Sequence, residues 1–585
     1  MITSPFRLPR KTPFGIAEKT VEWVTGLSQL DKHYQKRPLD LNSTEFMGYT
    51  LQALGIRYAF NEENVQNIPK EGPVVIVANH PLGGVEGVIL AEMLGKLRDD
   101  VKVLANEMLK RIPEIDDLFI GIDVFEGKQA QRTNVQAIRD AHKHLENGGL
   151  LVIFPAGEVS TYDDEQGHVL RDNEWRLSVA KFIKRHQTPV VPVFIGGKNS
   201  TWFYRAGRVH PLLRTAMLGR ELLNKKNQTI ELSIGHTLPY SELKNFDNER
   251  DMVNYLRLNT YLMGPKPDVE EKPAITSFDT PIIDAIMSDV LVQELSQLPA
   301  DMKLLTQGDF EVYCAPSHAI PQMMMEIGRV REESFREVGE GSGLACDVDE
   351  YDLYYHQLFV WNTKDQCLVG SYRLGLVDQL IEQKGLNALY TKSLFQFEQP
   401  FIDTMGNSIE LGRSVVAKQY QRNLNSLLLL WKGIAEFVHR HPQYDHLFGP
   451  VSISSDYSLI ARQLMAATLS IHHYDTTKAS LVTPSTPLVE AKETFWKTGM
   501  LTALGNVSLL SKVLTRMEKN KGLPVLLRQY LGMNGKLVCF NVDPAFNNAL
   551  DGLIVVNLKN VPVKTLGKYM GQDKAKNYLA DTINE

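Results

Sequence analysis

The chain has 585 residues, 43% of them hydrophobic and 23% charged, with a formal net charge of −6. That length exceeds what one hydrophobic core serves, so two or more domains are expected. The acidic balance argues against a nucleic-acid binder, and no apolar run reaches the roughly 20 residues that cross a bilayer. Cys314, Cys346, Cys367 and Cys539 are scattered and read as free thiols of a reducing compartment. Residues 1–25 lack the apolar stretch of a signal peptide. A cytoplasmic protein is expected, touching the inner face of the cytoplasmic membrane only peripherally, with neither a metal nor a permanently bound cofactor.

In chain order, residues 16–27 are loosely amphipathic and are expected to pack against the first domain. Buried strands are predicted at 73–78, 150–154 and 190–195, and helices at 88–97, 135–146 and 175–185. This alternation predicts an α/β layer structure with a largely parallel sheet. The polar, proline-rich run MGPKPDVEEKP at 263–273 reads as a linker, dividing the chain into 1–262, a linker at 263–275, and 276–585. The second part also mixes elements, as a mixed-sheet α/β domain. Strands are predicted at 353–361, 366–374 and 408–416, an amphipathic helix at 424–439, and a final strand at 552–558 that closes the chain.

The first chemical signature is Asn79-His80-Pro81-Leu82-Gly83-Gly84-Val85-Glu86-Gly87, directly after a buried strand. Ligands in open α/β sheets sit beyond the carboxyl ends of strands, where His80 falls. The glycines permit a tight turn that folds Glu86 back to the imidazole. A carboxylate on one ring nitrogen fixes the tautomer and stabilises the imidazolium when His80 takes a proton. Such a pair suits deprotonation of a hydroxyl that attacks a thioester. A plainer reading makes His80 a strand end and Glu86 an electrostatic helix start. Against it stand Phe154-Pro155-Ala156-Gly157-Glu158-Val159-Ser160, again after a strand, and Val191-Pro192-Val193.

With these runs, residues from about 50 to 240 resemble the glycerolipid acyltransferases. The resemblance implies His80 as general base on the acceptor hydroxyl, Glu86 as the carboxylate that orients it, and Gly157 and Glu158 in substrate binding. The family's usual Asp stands where this chain has Val85, one residue before Glu86. Its usual Glu in Phe-Pro-Glu-Gly is Ala156, while Glu158 replaces the customary Thr. These departures imply an acceptor other than a glycerol phosphate. Arg132 and Asn134 match the family's acceptor-binding motif, or else mark an exposed helix start.

The second signature is Ile409-Glu410-Leu411-Gly412-Arg413-Ser414-Val415-Val416, leading through Tyr420-Gln421-Arg422-Asn423 into the helix. Strict alternation puts Glu410 and Arg413 on opposite faces, whereas a bulge at Gly412 brings both to one site. Arg422 beside a free helix N-terminus suits a phosphate. The charged residues Arg331, Asp349, Asp352 and Arg373 lie upstream, where a solvated face explains most such runs.

Taken together with PVLLRQYL at 524–531, VDPAFN at 542–547 and YMG at 569–571, these residues resemble the hemolysin-like branch of the GNAT acyltransferases, relatives of the acyl-homoserine-lactone synthases. The resemblance runs from about 305 to 571. It implies an acyl and amine site built from Arg331, Asp349, Asp352, Arg373, Glu410 and Arg413, with Glu410 as base or relay and the Asp pair holding the ammonium. The chain lacks the Gly-rich loop by which ordinary GNAT enzymes grip coenzyme A. Acyl carrier protein is therefore the expected donor and partner, with acyl-CoA as the alternative.

Both modules in one chain resemble the bifunctional bacterial ornithine lipid synthases. The resemblance implies N-acylation of ornithine with a 3-hydroxyacyl group by the C-terminal domain, then O-acylation of that lyso-lipid by the N-terminal one. Alternatives are another amino acid (glycine, serine or glutamine), a lysophospholipid acceptor, or a membrane-perturbing hemolysin-like protein without enzyme activity.

Overall fold

A computed structural model describes residues 4–8, 16–122, 128–163, 169–265, 280–489, 494–518 and 521–580. Two compact units divide the chain: Met1–Pro267 with Ala491–Leu504, and Asp268–Glu490 with Gly505–Glu585. Most of the expected linker at 263–275 lies outside the described residues. Among the described residues no helix is long and apolar enough to cross a membrane.

The first unit is built on strands β1 (Arg57–Ala59), β2 (Val74–Ala78), β3 (Val101–Asn106), β4 (Phe119–Ile122), β5 (Leu150–Ile153), β6 (Val190–Ile195) and β7 (Thr229–Ile234), in the order β1-β7-β6-β2-β5-β3-β4. All neighbours are parallel except β6 and β7. All five residues of β2 are buried, as a continuous Val/Ile run requires of a strand covered on both faces. The helices used below are α1 (Ile16–Val24), α2 (Val85–Gly95), α3 (Lys128–Glu146), α4 (Ser178–His186) and α5 (Glu249–Tyr261).

Two features differ from expectation. Helix α1 turns Glu18 and Glu22 inward, Glu22 accepting the Leu8 N–H at 2.8 Å, and leaves Trp23 72% exposed. Glu22 thus serves the backbone while the apolar residues of the helix face out. Residues 494–504, expected within the second domain, belong to the first unit. There Trp496, Met500, Leu501 and Leu504 are buried, and the short helix Thr498–Leu501 packs on α5.

The second unit holds β8 (Lys303–Gln307), β9 (Phe310–Pro316), β10 (His356–Asn362), β11 (Cys367–Leu376), β12 (Ser408–Val416), β13 (His446–Ile453), β14 (Lys536–Asp543) and β15 (Ala549–Asn557), in the order β8-β9-β10-β11-β12-β13-β15-β14. Its neighbours are antiparallel except β12 and β13, which pair only from Ser408–His446 to Glu410–Phe448 and then separate. Gly449 sits at this parting, where a Cβ would collide with the Leu411 carbonyl oxygen. Helix α6 (Pro321–Glu337) and helix α7 (Leu424–Arg440) carry or adjoin the charged residues read from the sequence.

The strand predicted at 353–361 begins instead at His356, because Asp349 caps a 3-10 turn at Glu350–Leu353. The last strand does not close the chain: helices Val563–Met570 and Gln572–Ala580 follow it. Each is too short for a clear apolar period to show in the sequence.

Candidate functional sites

In the first unit the end of β2 is locked to β6. Asn79 Nδ2 donates to the Ile195 carbonyl at 2.9 Å, and the Ile195 N–H donates to Asn79 Oδ1 at 2.7 Å. His80 follows at the carboxyl end of the strand. The chain then turns at Gly83, whose φ is +89° and whose missing Cβ makes room for Val159 and Leu218. This turn delivers Glu86, in the first turn of α2, back to the imidazole: Nδ1 and Oε1 are 2.9 Å apart, an ion-pair separation with poor hydrogen-bond alignment. The Glu86 carboxylate is fully buried and accepts the backbone N–H groups of Leu82 (2.9 Å), Gly83 (2.8 Å) and Gly84 (3.1 Å).

The electrostatics follow from that arrangement. Burial alone pushes the His80 pKa down, but the Glu86 charge 2.9 Å away, with Asp172 behind, outweighs it and leaves His80 a stronger base than a free imidazole. Burial pushes Glu86 up, and His80 and the backbone N–H groups more than offset it, so Glu86 stays ionised. With Nδ1 turned to Glu86, Nε2 is the nitrogen left for a substrate, and the His80 side chain is 18% exposed.

Other residues read from the sequence surround this pair unevenly. The Phe154 ring lies 4.7 Å from the His80 ring. Gly157, at φ +68°, leaves space that the Arg176 guanidinium fills. Glu158 is exposed and accepts from Asn173 Nδ2 at 2.7 Å and Arg214 Nη2 at 2.9 Å. Asn134 is half-buried on α3, which follows edge strand β4 with β3 and β5 between it and β2. The side chain of Arg132 lies outside the described residues.

Sequence reasoning missed Asp172. It is 1% exposed and accepts the His80 N–H (3.1 Å), the Ser160 hydroxyl (2.6 Å) and the Trp175 indole N–H (2.8 Å). The one local signal was Trp175, whose indole needs an acceptor when buried.

In the second unit Arg331, on α6, is completely buried. It donates to both Asp352 oxygens (2.9 and 3.1 Å) and to Gln357 Oε1 (2.8 Å), and Gln357 returns a bond to Asp352 at 2.9 Å. Burial pushes the Asp352 pKa up, but the Arg331 and Arg373 charges hold it down at about 2. Arg373 on β11 is also buried and donates to Asp349 Oδ1 at 2.5 Å. It lies against the rings of Tyr351, Tyr355 and Tyr390 and keeps Nε and Nη2 without acceptors among the described residues.

The bulge predicted at Gly412 falls one residue on. The β11–β12 register shifts between Ser371 and Arg373, and Arg413 itself takes φ +48°. Its guanidinium then reaches the Tyr390 hydroxyl at 3.1 Å and Asp349 at 3.4 Å, and covers the Phe546 ring at 4.3 Å. Glu410 and Arg413 thus meet opposite ends of Tyr390. Glu410, 1% exposed, accepts the Tyr390 N–H at 3.2 Å, the Thr391 N–H at 2.6 Å and the Tyr355 hydroxyl. Arg422 is exposed ahead of α7, whose N-terminus is capped by the Asn423 side chain.

A second acidic group, not anticipated, stands at the ends of β14 and β15. Asp551 pairs across to Ser452 on β13 and accepts its hydroxyl at 2.7 Å. Burial and the neighbouring Asp543 raise its pKa to about 7, against the opposing charge of Arg413. Glu340 is raised to about 8 by burial and by Asp551, Asp456 and Asp543.

Comparison with known proteins agrees with this division. Residues 20–269 match the acyltransferase family model, and residues 330–432 match the acetyltransferase (GNAT) domain model. The chain is 33% identical over 219 residues to the glycine N(alpha)-acyltransferase of Bacteroides thetaiotaomicron, covering 36% of this chain and 64% of the relative. It is 33% identical over 218 residues to that of Phocaeicola vulgatus, covering 35% and 66%. It is also 31% identical over 206 residues to the lyso-glycine lipid O-acyltransferase of B. thetaiotaomicron, covering 33% of this chain and 71% of the relative. With its His80–Glu86 unit and its parted GNAT-type sheet on one polypeptide, the chain belongs to the acyltransferase family and carries an acyltransferase domain followed by a GNAT domain.

Proposed function

We propose that this chain makes a diacylated amino-acid lipid in two steps, both drawing on acyl thioesters. The second unit N-acylates an amino acid with a 3-hydroxyacyl group, and the first O-acylates the hydroxyl so installed. The observation that carries the reading is Glu86, buried in three backbone N–H bonds and facing His80 Nδ1, in the same chain as a GNAT domain.

In the O-acyl step, His80 Nε2 takes the proton of the 3-hydroxyl as its oxygen attacks the thioester carbonyl. Glu86 stabilises the imidazolium, and collapse of the tetrahedral adduct expels the thiolate, which takes that proton. In the N-acyl step a neutral amine attacks the thioester carbonyl, and collapse of the adduct expels the thiolate, which takes up the proton the nitrogen gives up. The parting of β12 and β13 is the place for the thioester arm, with Arg413 and Arg373 for anionic groups. A base for an ammonium works best near neutral pKa. Asp551 sits between Ser452 of β13, whose hydroxyl it accepts, and the Arg413 charge on β12, and its pKa meets that condition, so we place the base there and give Glu410 the role of holding the 390–391 turn.

Glycine and ornithine are the leading acceptors: relatives of both step types are named for glycine, while ornithine rests on the resemblance of the fusion. We favour acyl carrier protein as donor over acyl-CoA, and work at the inner membrane face.

The test is the lipid extract of a host making this chain alone, fed labelled glycine or labelled ornithine. A new ninhydrin-positive, phosphorus-free diacyl lipid carrying one label supports the synthase and names the acceptor. An unchanged lipid profile overturns it. Asp551→Asn is expected to lower N-acylation about 100-fold; wild-type rates for that variant would return the base to Glu410.

A further inference from the structure

Behind His80 stands a second carboxylate that the mechanism above does not use. Asp172 is 92 positions away in sequence, yet it receives the His80 backbone N–H, the Ser160 hydroxyl and the Trp175 indole N–H. An indole and a backbone amide can only donate, so Asp172 supplies acceptors to both, while burial raises its pKa against the pull of Ser160, the His80 N–H and Trp175. The Ser160 N–H in turn donates to the His80 carbonyl at 2.9 Å, so residues 160 and 172 grip both sides of the His80 peptide.

Asp172 is itself held from α5. Its backbone N–H donates to the Tyr261 hydroxyl at 2.7 Å, and Arg257 donates to its carbonyl. Helix α5 is covered by residues 494–504: Asn254 Nδ2 donates to the Gly499 carbonyl at 2.7 Å, and the Thr502 hydroxyl donates to Asp251 at 3.0 Å. Arg171, beside Asp172, donates to the Thr494 carbonyl at 3.2 Å, a bond spanning 323 positions. Trp496, Met500 and Leu501 are buried in the same segment.

We propose that Asp172 is a positioning residue for the His80 base, kept in place by α5 and by a strap, residues 494–504, that the later half of the chain returns to the first unit. The O-acyl site is then complete only when that strap is seated. The inference rests on the reading of His80 as the base.

The carboxyl groups acting on the imidazole are those of Glu86 and Asp172. Tyr204 and Lys225 lie near Glu86, and Tyr261 and Arg257 hold the Asp172 backbone, with Arg171 next to it in the chain. Removing the Asp172 carboxyl group, which raises the His80 pKa, therefore weakens His80 as a base and moves the acid limb of the rate profile to lower pH. The test uses the full chain, a purified N-(3-hydroxyacyl) amino acid and an acyl thioester, with N-acylation assayed separately. Asp172→Asn is expected to lower kcat for O-acylation about tenfold with KM little changed, to shift the acid limb downwards, and to leave N-acylation unaltered. Asp172→Glu recovers part of the rate. Trp496→Ala is expected to lower O-acylation alone. Thr502→Val, which removes the hydroxyl bonds to Asp251 and to the Gly499 carbonyl, tests the strap where Trp496→Ala does not fold. A wild-type acid limb and kcat for Asp172→Asn overturn the proposal. O-acylation surviving His80→Ala instead overturns the base assignment on which it rests.

Discussion

Glu86 and Glu410 begin as the same device, a buried carboxylate held by backbone N–H groups, and end with different chemistry. Three N–H groups hold Glu86, which still faces an imidazole that is partly exposed. Two N–H groups hold Glu410, and its third contact is a buried tyrosine hydroxyl. Burial pushes the Tyr355 pKa well above its ordinary value, so that hydroxyl remains a donor and carries no proton away. The contrast teaches that backbone donors make a carboxylate available as a fixed charge. What it does next depends on the group at its remaining lone pair.

The largest effect expected from breaking this contrast is at His80. His80→Ala is expected to lower O-acylation by about 10²–10⁴, with N-acylation intact and the monoacylated lyso-lipid accumulating in extracts. At Glu410 the expectation is structural. Glu410→Ala leaves the Thr391 N–H without an acceptor and reduces the Tyr390 N–H to its bond with the Tyr355 hydroxyl and that hydroxyl to the Ala388 carbonyl, at a cost of about 1–3 kcal/mol, read as a lowered unfolding midpoint. Glu410→Gln keeps an acceptor and is expected to regain most of that stability and N-acylation. A Gln variant with normal melting but no N-acylation would make Glu410 the base after all.

Glu86→Gln sharpens the comparison through pH. The His80 pKa lies above its ordinary 6.5 because Glu86 is charged, so O-acylation falls as pH drops through that raised value. With Gln the imidazole loses its counter-charge, its pKa falls, and the acid limb moves to lower pH while the plateau rate drops about tenfold. Glu158→Ala is the smallest change. This exposed side chain accepts from the Asn173 amide and the Arg214 guanidinium, and the expected loss of stability is within about 0.5 kcal/mol, measurable by thermal unfolding.

Much of both sites was legible because the relevant signals are local. A Val/Ile run, a histidine at its end and a glycine turn lie within about a dozen residues, and their spacing already returns Glu86 to His80. The strand at 408–416 and the helix starting at 424 emerged with the same bounds. The bulge was placed one residue early because Gly412 is the residue type that relieves a bent strand, whereas the positive φ is borne by Arg413. The terminal helices escaped notice for want of length.

The sequence by itself determined the two modules and their order, through the polar break at 263–273 and the family resemblance of the motifs on either side, and the pairing of His80 with Glu86, through short spacing. Only the tertiary structure decided who occupies each lone pair. Tyr390 and Thr391 claim Glu410 from about 20 positions upstream, Asp172 reaches His80 across 92, and Thr494 meets Arg171 across 323. No local pattern encodes such partners, because a hydrogen bond depends on where folding brings two groups and not on how far apart they lie along the chain.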